Sequence, residues 1–369
     1  MKQRLMFVFT VIISQAVCFA QNKKGSIAWG QTVTISNEPT PANADSTWGY
    51  HQRYGSQYAR LLQLKNGSWL AGYTVAPNKG YQKQTEGGLQ LQISQSMDNG
   101  KHWTVLSSLK DEGRDLDNAQ LIQLKDGSVL LACRSVRWQE SYRLQVYKST
   151  DGGKIWRYQS TIDANEGKAG ELGKPDKGIY EPHFYVLDDG RLSVMYANEK
   201  HVTETPSYSQ IISQKISDDK GKTWGKEIWV AYEEGHNASR PGMPVWTKMK
   251  NENYIVVYEV CGPEKCAIYN KKSKDGIHWE RGLGKPVKDQ LGAPFILSLS
   301  NGDLIVTSNS SNISMSSDYG AHWQTVNKAF QQSLWPALYQ FNNNTIGVVS
   351  AEKRPEGGTE VQVQFGIVQ

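Results

Sequence analysis

The chain has 369 residues, with 41 basic and 36 acidic side chains and a formal charge of +5. Its mean hydropathy is −0.57, and its one strongly apolar run lies at the extreme N-terminus, which excludes a multi-span membrane protein. A chain this long buries a full core without a metal or disulfide scaffold. Its 34 Gly, 12 Trp and 18 Tyr point to a turn-rich β protein.

The first segment reads as an export signal. Lys2 and Arg4 precede the apolar stretch Leu5 to Val17, and Ala16-Val17-Cys18-Phe19-Ala20 ends in small residues. Cleavage after Ala20 is expected, so residues 1–20 are a signal peptide and the location is secreted or periplasmic. Loss of Lys2 and Arg4 leaves 39 basic against 36 acidic residues, a charge of +3. That near-balance implies no nucleic-acid partner. Cys133, Cys261 and Cys266 remain, an odd number and so not a disulfide framework. The spacing of Cys261 and Cys266 fits either a small closed loop or two free thiols. No Cys/His cluster has zinc-ligand spacing, and neither a metal nor a cofactor is expected.

Beyond the signal, two repeats interleave. The first begins with Leu64-Lys65-Asn66-Gly67 and returns as Leu124-Lys125-Asp126-Gly127, Leu187-Asp188-Asp189-Gly190 and Leu299-Ser300-Asn301-Gly302. Met249-Lys250-Asn251-Glu252 and Phe341-Asn342-Asn343-Asn344 are degenerate copies. Each is an apolar residue, a polar turn and a following apolar strand, giving six hairpins anchored at 64, 124, 187, 249, 299 and 341. The second is the octapeptide Ser-x-Asp-x-Gly-x-x-Trp, at Ser96–Trp103, Ser149–Trp156, Ser217–Trp224 and Ser316–Trp323, with a copy one residue shorter at Ser273–Trp279. Asp and Ser bonding to turn backbone, Gly supplying positive φ and Trp packing the turn on the sheet read as a hairpin connection.

Six units of a few strands each predict an all-β, six-bladed β-propeller in which the octapeptide joins the outer strands of a blade. The last unit has no octapeptide after Phe341. The run Ser26-Ile27-Ala28-Trp29-Gly30-Gln31-Thr32-Val33 is expected to supply its final strand and tie the chain ends together. Residues 21–369 thus read as a single domain. Two stacked β domains are the alternative, although no linker-like stretch divides the chain.

In such a fold the first hairpin strand of each blade lines a central funnel, and the rim residues lie about seven before or ten after each anchor. The entry positions are near Gln57 and Arg60, Asp117, Glu181, Gly242, Gly292 and Trp335. The exit positions are near Tyr73, Arg134, Tyr196, Glu259, Asn309 and Ser350. Glu181, in Tyr-Glu-Pro-His-Phe, and Glu259, in Tyr-Glu-Val-Cys-Gly, stand out, with Asp117 a third carboxylate. Paired carboxylates across an aromatic-lined funnel suit glycoside hydrolysis, where one donates a proton to the leaving oxygen and the other attacks the anomeric carbon or activates water.

The octapeptides resemble the Asp-box (bacterial neuraminidase) repeats of sialidase-like six-bladed propellers. A sialidase also carries an arginine triad and a Tyr nucleophile with a Glu partner. Here the last blade enters with Ser333-Leu334-Trp335-Pro336, without a rim Tyr, and Tyr258-Glu259 stands where one triad arginine would fall. Other stretches resemble glycoside hydrolase family 93, the exo-α-1,5-L-arabinanases: Tyr58-Ala59-Arg60, Tyr180-Glu181-Pro182-His183-Phe184, Ser239-Arg240-Pro241-Gly242-Met243-Pro244 and Tyr258-Glu259. That resemblance implies a retaining mechanism with two Glu residues, which by position fall on Glu181 and Glu259. It implies release of arabinobiose from linear arabinan. Arg60, Asp117, His183, Arg240, Trp335 and Tyr339 are the expected substrate contacts. The expected partner is a polysaccharide or oligosaccharide substrate bound by a monomer with no membrane span after signal cleavage. The rival readings are an exo-α-sialidase and a carbohydrate-binding propeller without catalysis.

Overall fold

The computed structural model describes residues 25–38, 54–76, 88–235, 237–355 and 357–369; residues 1–20, expected to be a signal peptide, lie outside them. The described residues are almost wholly strand. β1 (Ile27–Ser36) precedes six antiparallel repeats, one around each hairpin anchor. Repeat 1 holds β2 (Gly55–Gln63), β3 (Trp69–Ala76), β4 (Gln90–Ser96) and β5 (Thr104–Leu109). Repeat 2 holds β6 (Asp115–Gln123), β7 (Val129–Arg137), β8 (Ser141–Ser149) and β9 (Arg157–Glu166). Repeat 3 holds β10 (Ile179–Val186), β11 (Leu192–Asn198), β12 (Ile211–Ser217) and β13 (Ile228–Ala231). Repeat 4 holds β14 (Arg240–Lys248), β15 (Tyr254–Cys261), β16 (Ala267–Ser273) and β17 (Lys285–Leu291). Repeat 5 holds β18 (Phe295–Ser298), β19 (Leu304–Thr307), β20 (Ile313–Ser316) and β21 (Gln324–Val326). Repeat 6 has β22 (Ala337–Gln340), β23 (Thr345–Lys353) and β24 (Thr359–Val368).

Repeats 2 to 5 are separate four-stranded sheets. Repeats 1 and 6 share one eight-stranded sheet, because β24 meets β2 in a single parallel pairing of Thr359 with Gly55. As expected from the sequence, β1 completes repeat 6. It runs antiparallel to β24, from Ile27 opposite Val368 to Ser36 opposite Val361.

Strands in the middle of a repeat are covered on both faces, so they read as unbroken apolar runs rather than alternating ones. β3 is buried at all eight positions. Leu70, Leu91, Leu121 and Leu131 pack repeat 1 on repeat 2. Leu130, Val146, Val194 and Tyr196 pack repeat 2 on repeat 3, and Met195, Ile212, Trp246 and Val256 pack repeat 3 on repeat 4. Val257, Ile268, Ile305 and Val348 run through repeats 4 to 6. Ala71, Tyr73, Val349 and Val363 pack repeat 6 on repeat 1. Each buried Leu or Val side chain stabilises the fold by about 1.5–3 kcal/mol. The first strands are neighbours in the same order: β2 with β6, β6 with β10, β10 with β14, β14 with β18, β18 with β22, and β22 with β2.

Each octapeptide forms the turn between the third and fourth strands of its repeat. In Ser217–Trp224 the Ser217 hydroxyl accepts from Gly221 N–H (2.7 Å) and donates to Asp219 (2.8 Å), which accepts from Thr223 N–H (2.9 Å). Gly221 has φ 79°, a conformation that glycine adopts without a Cβ penalty. Three of these turns also clip onto the preceding repeat by a reciprocal pair of bonds. Trp156 donates to Ser107, which donates to the Gly153 carbonyl. Trp224 and Gly221 are joined in the same way through Ser160, and Trp279 and Gly276 through Gln214.

Among the described residues no helix is long and apolar enough to cross a membrane. Cys261 and Cys266 are joined in a disulfide across the β15–β16 loop, and Cys133 is a buried free thiol.

Candidate active site

Six residues before every hairpin anchor, the backbone turns left-handed at a residue other than glycine. Tyr58 (φ 52°), Asn118 (57°), Glu181 (61°), Met243 (51°), Ala293 (47°) and Trp335 (50°) occupy this position in repeats 1 to 6. In β2, β6, β10 and β14 it coincides with a break in register to the second strand. In repeats 5 and 6 it lies just before β18 and β22. A bulge of this kind adds a residue, sharpens the twist and re-aims side chains. A left-handed non-glycine residue costs about 1–3 kcal/mol and persists where the surrounding structure fixes it. The residue that follows is Ala59, Ala119, Pro182, Pro244, Pro294 or Pro336, and proline within a sheet is confined to edges and bulges.

The bulges turn backbone amides toward acceptors. Met243 N–H donates to Glu181 Oε2 (2.8 Å), and Ala293 N–H donates to Glu259 Oε2 (2.6 Å). Trp335 N–H donates to Asn309 Oδ1 (2.7 Å) and Asn118 N–H to Asp117 Oδ1 (2.7 Å). Each of the two glutamates is therefore held by the amide of the following repeat's bulge.

Glu259 lies on β15 opposite Gly242 on β14. A Cβ built on Gly242 would stand 3.6 Å from Glu181 Oε2 and 3.6 Å from Glu259 Oε1. The two oxygens are thus at most 7.2 Å apart, twice 3.6 Å. Burial, and then the neighbouring Glu259, push the Glu181 carboxyl up to about 8, against the Met243 amide and Arg134. Burial also raises Glu259, opposed by the Ala293 amide and Arg240. Two buried carboxyls this close cannot both ionise freely and hold a proton between them near neutrality.

The other residues expected at the site fall into two groups. Asp117 and Arg240 are near the pair but already engaged. Arg134 donates to Asp117 (2.7 Å), which also accepts from Thr74 (2.5 Å). Arg240 pairs with the buried Glu199 and donates to Gln210 (2.9 Å). Its side chain keeps 39% of its surface exposed. Trp335 is half-buried, beside Tyr58, Met243 and Ala293. Arg60 and His183 are packed more deeply, and Tyr339 is half-buried. Arg60 is 2% exposed, bonds to the Ala59 and Trp335 carbonyls, and has its guanidinium carbon 4.1 Å from the Tyr58 ring centroid. Tyr339 sits between Trp69 and Phe295, and burial pushes its hydroxyl up to about 12. His183 lies edge-on to Phe295. Burial, and then the Arg60 charge, lower it to about 3, so it is neutral at pH 7.

Gln57 Oε1, Asn118 Oδ1 and His183 Nδ1 are buried with no partner, in residues only 5%, 5% and 8% exposed. Buried polar atoms are bonded as a rule; these three, on the first strands β2, β6 and β10, have no protein partner. Sequence reasoning did not single out Gln57 or Asn118 as ligands. It also missed Glu199, just past the exit offset, and Gln210, which belongs to neither repeat. Among the described residues the one grouping of three potential metal ligands is Glu259 with Cys261 and Cys266. Its two sulfurs are bonded to each other and offer no thiolate.

Fold and site together define an Asp-box β protein with a buried acid pair. The family model described as a BNR repeat-like domain matches residues 10–211, more than half of the chain, and the chain belongs to that family. No curated protein matches it. Among solved structures it is similar to the GH93 α-L-arabinofuranosidase of Fusarium graminearum in complex with arabinobiose. The identity is 22%, the TM-score is 0.74, and 91% of this chain and 98% of that chain are covered. It is also similar to the Penicillium chrysogenum α-L-arabinanase complexed with arabinobiose, at 21% identity, TM-score 0.72 and coverage of 91% and 98%. The NanB sialidase of Streptococcus pneumoniae follows at 14% identity, TM-score 0.57 and coverage of 90% and 70%. At these identities the likeness shows a shared fold.

Proposed function

We propose that the chain is an exported glycoside hydrolase that removes arabinose units from the ends of arabinan, with Glu181 and Glu259 as its catalytic pair, in a closed six-bladed propeller. The observation that carries this reading is the position of both carboxylates 3.6 Å from one point beside Gly242. The ordered contact of the first strands, β22 with β2 included, supports closure. The arabinobiose held by two proteins of like fold supports the sugar.

A separation of at most 7.2 Å fits the retaining distance of about 5–5.5 Å and excludes most of the inverting range of about 6.5–9.5 Å. In the retaining route one glutamate attacks the anomeric carbon while the other gives its proton to the departing glycosidic oxygen. The second then takes a proton from water, whose oxygen displaces the ester and regenerates the first carboxylate. One shared proton at neutral pH is the starting state this sequence needs. Asp117, Arg240 and the orphaned Gln57, Asn118 and His183 atoms bond substrate hydroxyls, and Trp335 offers a ring face.

The site's charges speak against a sialoside. Arg134 and Arg240 each already carry a carboxylate partner, and Arg60 is capped by aromatic rings. A neutral sugar needs no free arginine triad.

Linear arabinan with product analysis is the test. Glu181→Gln and Glu259→Gln are each expected to lose about 10²–10⁴-fold or more in kcat/KM, and the first-formed sugar is expected to keep its anomeric configuration by NMR. Wild-type release from a sialyl substrate but not from arabinan would replace this reading with a sialidase, and release from neither would leave a binding protein.

A further inference from the structure

The residue just before the left-handed one is Gln57, Asp117 and Tyr180 in repeats 1 to 3 and Leu334 in repeat 6, but Gly242 and Gly292 in repeats 4 and 5. Around the converging first strands, four repeats thus present a large side chain at this level and two adjacent ones present none. The bare stretch flanks Glu259. A Cβ on Gly292 would lie 3.8 Å from Glu259 Oε2, and one on Gly242 would lie 3.6 Å from Glu259 Oε1.

The two glycines differ. Gly292 has φ 67°, so its backbone accounts for glycine by itself. Gly242 is not in the left-handed region, and a strand residue there can carry a side chain without backbone strain. What a side chain would do at Gly242 is fill the space between the acids. Its first atom would lie midway in contact with Glu181 Oε2 and Glu259 Oε1, and 2.6 Å from Gln210 Nε2.

We infer that Gly242 positions the substrate: its missing side chain is the space in which the substrate's reacting ring lies against the strand between the two carboxylates. This rests on the hydrolase reading above. The sugar carbon that is attacked and the oxygen that is protonated must both be within bonding reach of the pair, and the gap over Gly242 is where both acids face the same volume. Gly242 is a positioning residue and supplies no reacting group.

The test uses the full chain, linear arabinan and an aryl α-L-arabinofuranoside. Gly242→Ala is expected to lower kcat/KM about 100-fold on both substrates and to weaken inhibition by arabinobiose. Because the new methyl also displaces Gln210, which bonds Pro241 and Arg240, Gln210→Ala and the double variant are measured beside it. The double variant removes the 2.6 Å clash and carries the test should the single variant not fold. If the double variant is about 100-fold below Gln210→Ala, the inference holds. If it equals Gln210→Ala, or if Gly242→Ala matches wild type, the inference is overturned. An inactive wild type would instead sink the hydrolase itself, so the two failures are distinguishable.

Discussion

Two turns recur around this molecule, one at the outer strands and one at the inner, and they repeat different things. The octapeptide turns repeat side chains: Ser, Asp and Gly make the same bonds in each copy, for example Ser149 with Gly153 and Asp151 and Ser316 with Gly320 and Asp318. The inner bulges repeat only a backbone conformation. Their left-handed residues are Tyr, Asn, Glu, Met, Ala and Trp, no two alike. A turn that holds itself together locally must keep its side chains. A bulge fixed by packing from neighbouring repeats is free to vary them, and so can carry chemistry at one position and filler at the next. The outer turns should therefore govern stability and the inner ones activity.

Four experiments break or sharpen that contrast. The largest effect is expected at the pair, where Glu181→Gln or Glu259→Gln removes turnover, by about 10²–10⁴-fold or more, while the fold persists. Next, Trp224→Ala loses both the clip to Ser160 and the stack on Phe184. It is expected to cost about 3 kcal/mol in denaturant unfolding with kcat intact; a variant as stable as wild type would refute the clip. In wild type, kcat/KM is expected to fall above pH about 8 as the shared proton leaves Glu181, a limb that Glu181→Gln should not show.

The remaining effects are in Tm against pH; they have opposite signs, and that at Asp318 is the smallest. A carboxyl raised from 4.5 to about 8 costs nothing below 4.5, costs more as pH rises to about 8, and a constant amount above that. Glu181→Gln should thus melt higher than wild type at pH 7 and equal to it near pH 4. Asp318 is held down from 3.8 to about 2, by the His322 amide and ring and by Ser316, against the upward pull of burial. Its contribution is present above 3.8 and lost as pH falls toward 2. Asp318→Asn should melt slightly lower than wild type at pH 7, by about 1 kcal/mol or less, with the gap closing below pH 4. Equal pH responses in the two variants would erase the distinction between the turns.

The same contrast explains what could be read from the chain alone. The octapeptides, the six hairpin anchors and the Ser26–Val33 strand were legible because each is written in residue types or alternation. Glu181 and Glu259 emerged from counting along the strands, since hairpin geometry sets which residues share an end. The bulges were not read, because their φ is imposed by neighbours distant in sequence. One trace existed: an Ala or Pro five residues before every anchor, from Ala59 to Pro336. Of the residues expected to touch substrate, Arg60 is packed against Tyr58 and Phe295 and the half-buried Tyr339 lies between Trp69 and Phe295; offset counting gives the end of a strand but not the depth of a side chain. The Cys261–Cys266 loop, left open by spacing, closes as a disulfide with sulfurs within 4.8 Å of a Glu259 oxygen.

The seam of the molecule has a consequence for its synthesis. β24 lies between β23 and β1, so a strand that leaves the ribosome long after β1 must settle against it. Until then β1 has no partner and the edge of β23 stays open. Completion of this sheet thus waits for Thr359–Val368, and a nascent chain stalled before Thr359 would leave β1 without its partner and the edge of β23 open to whatever carries it.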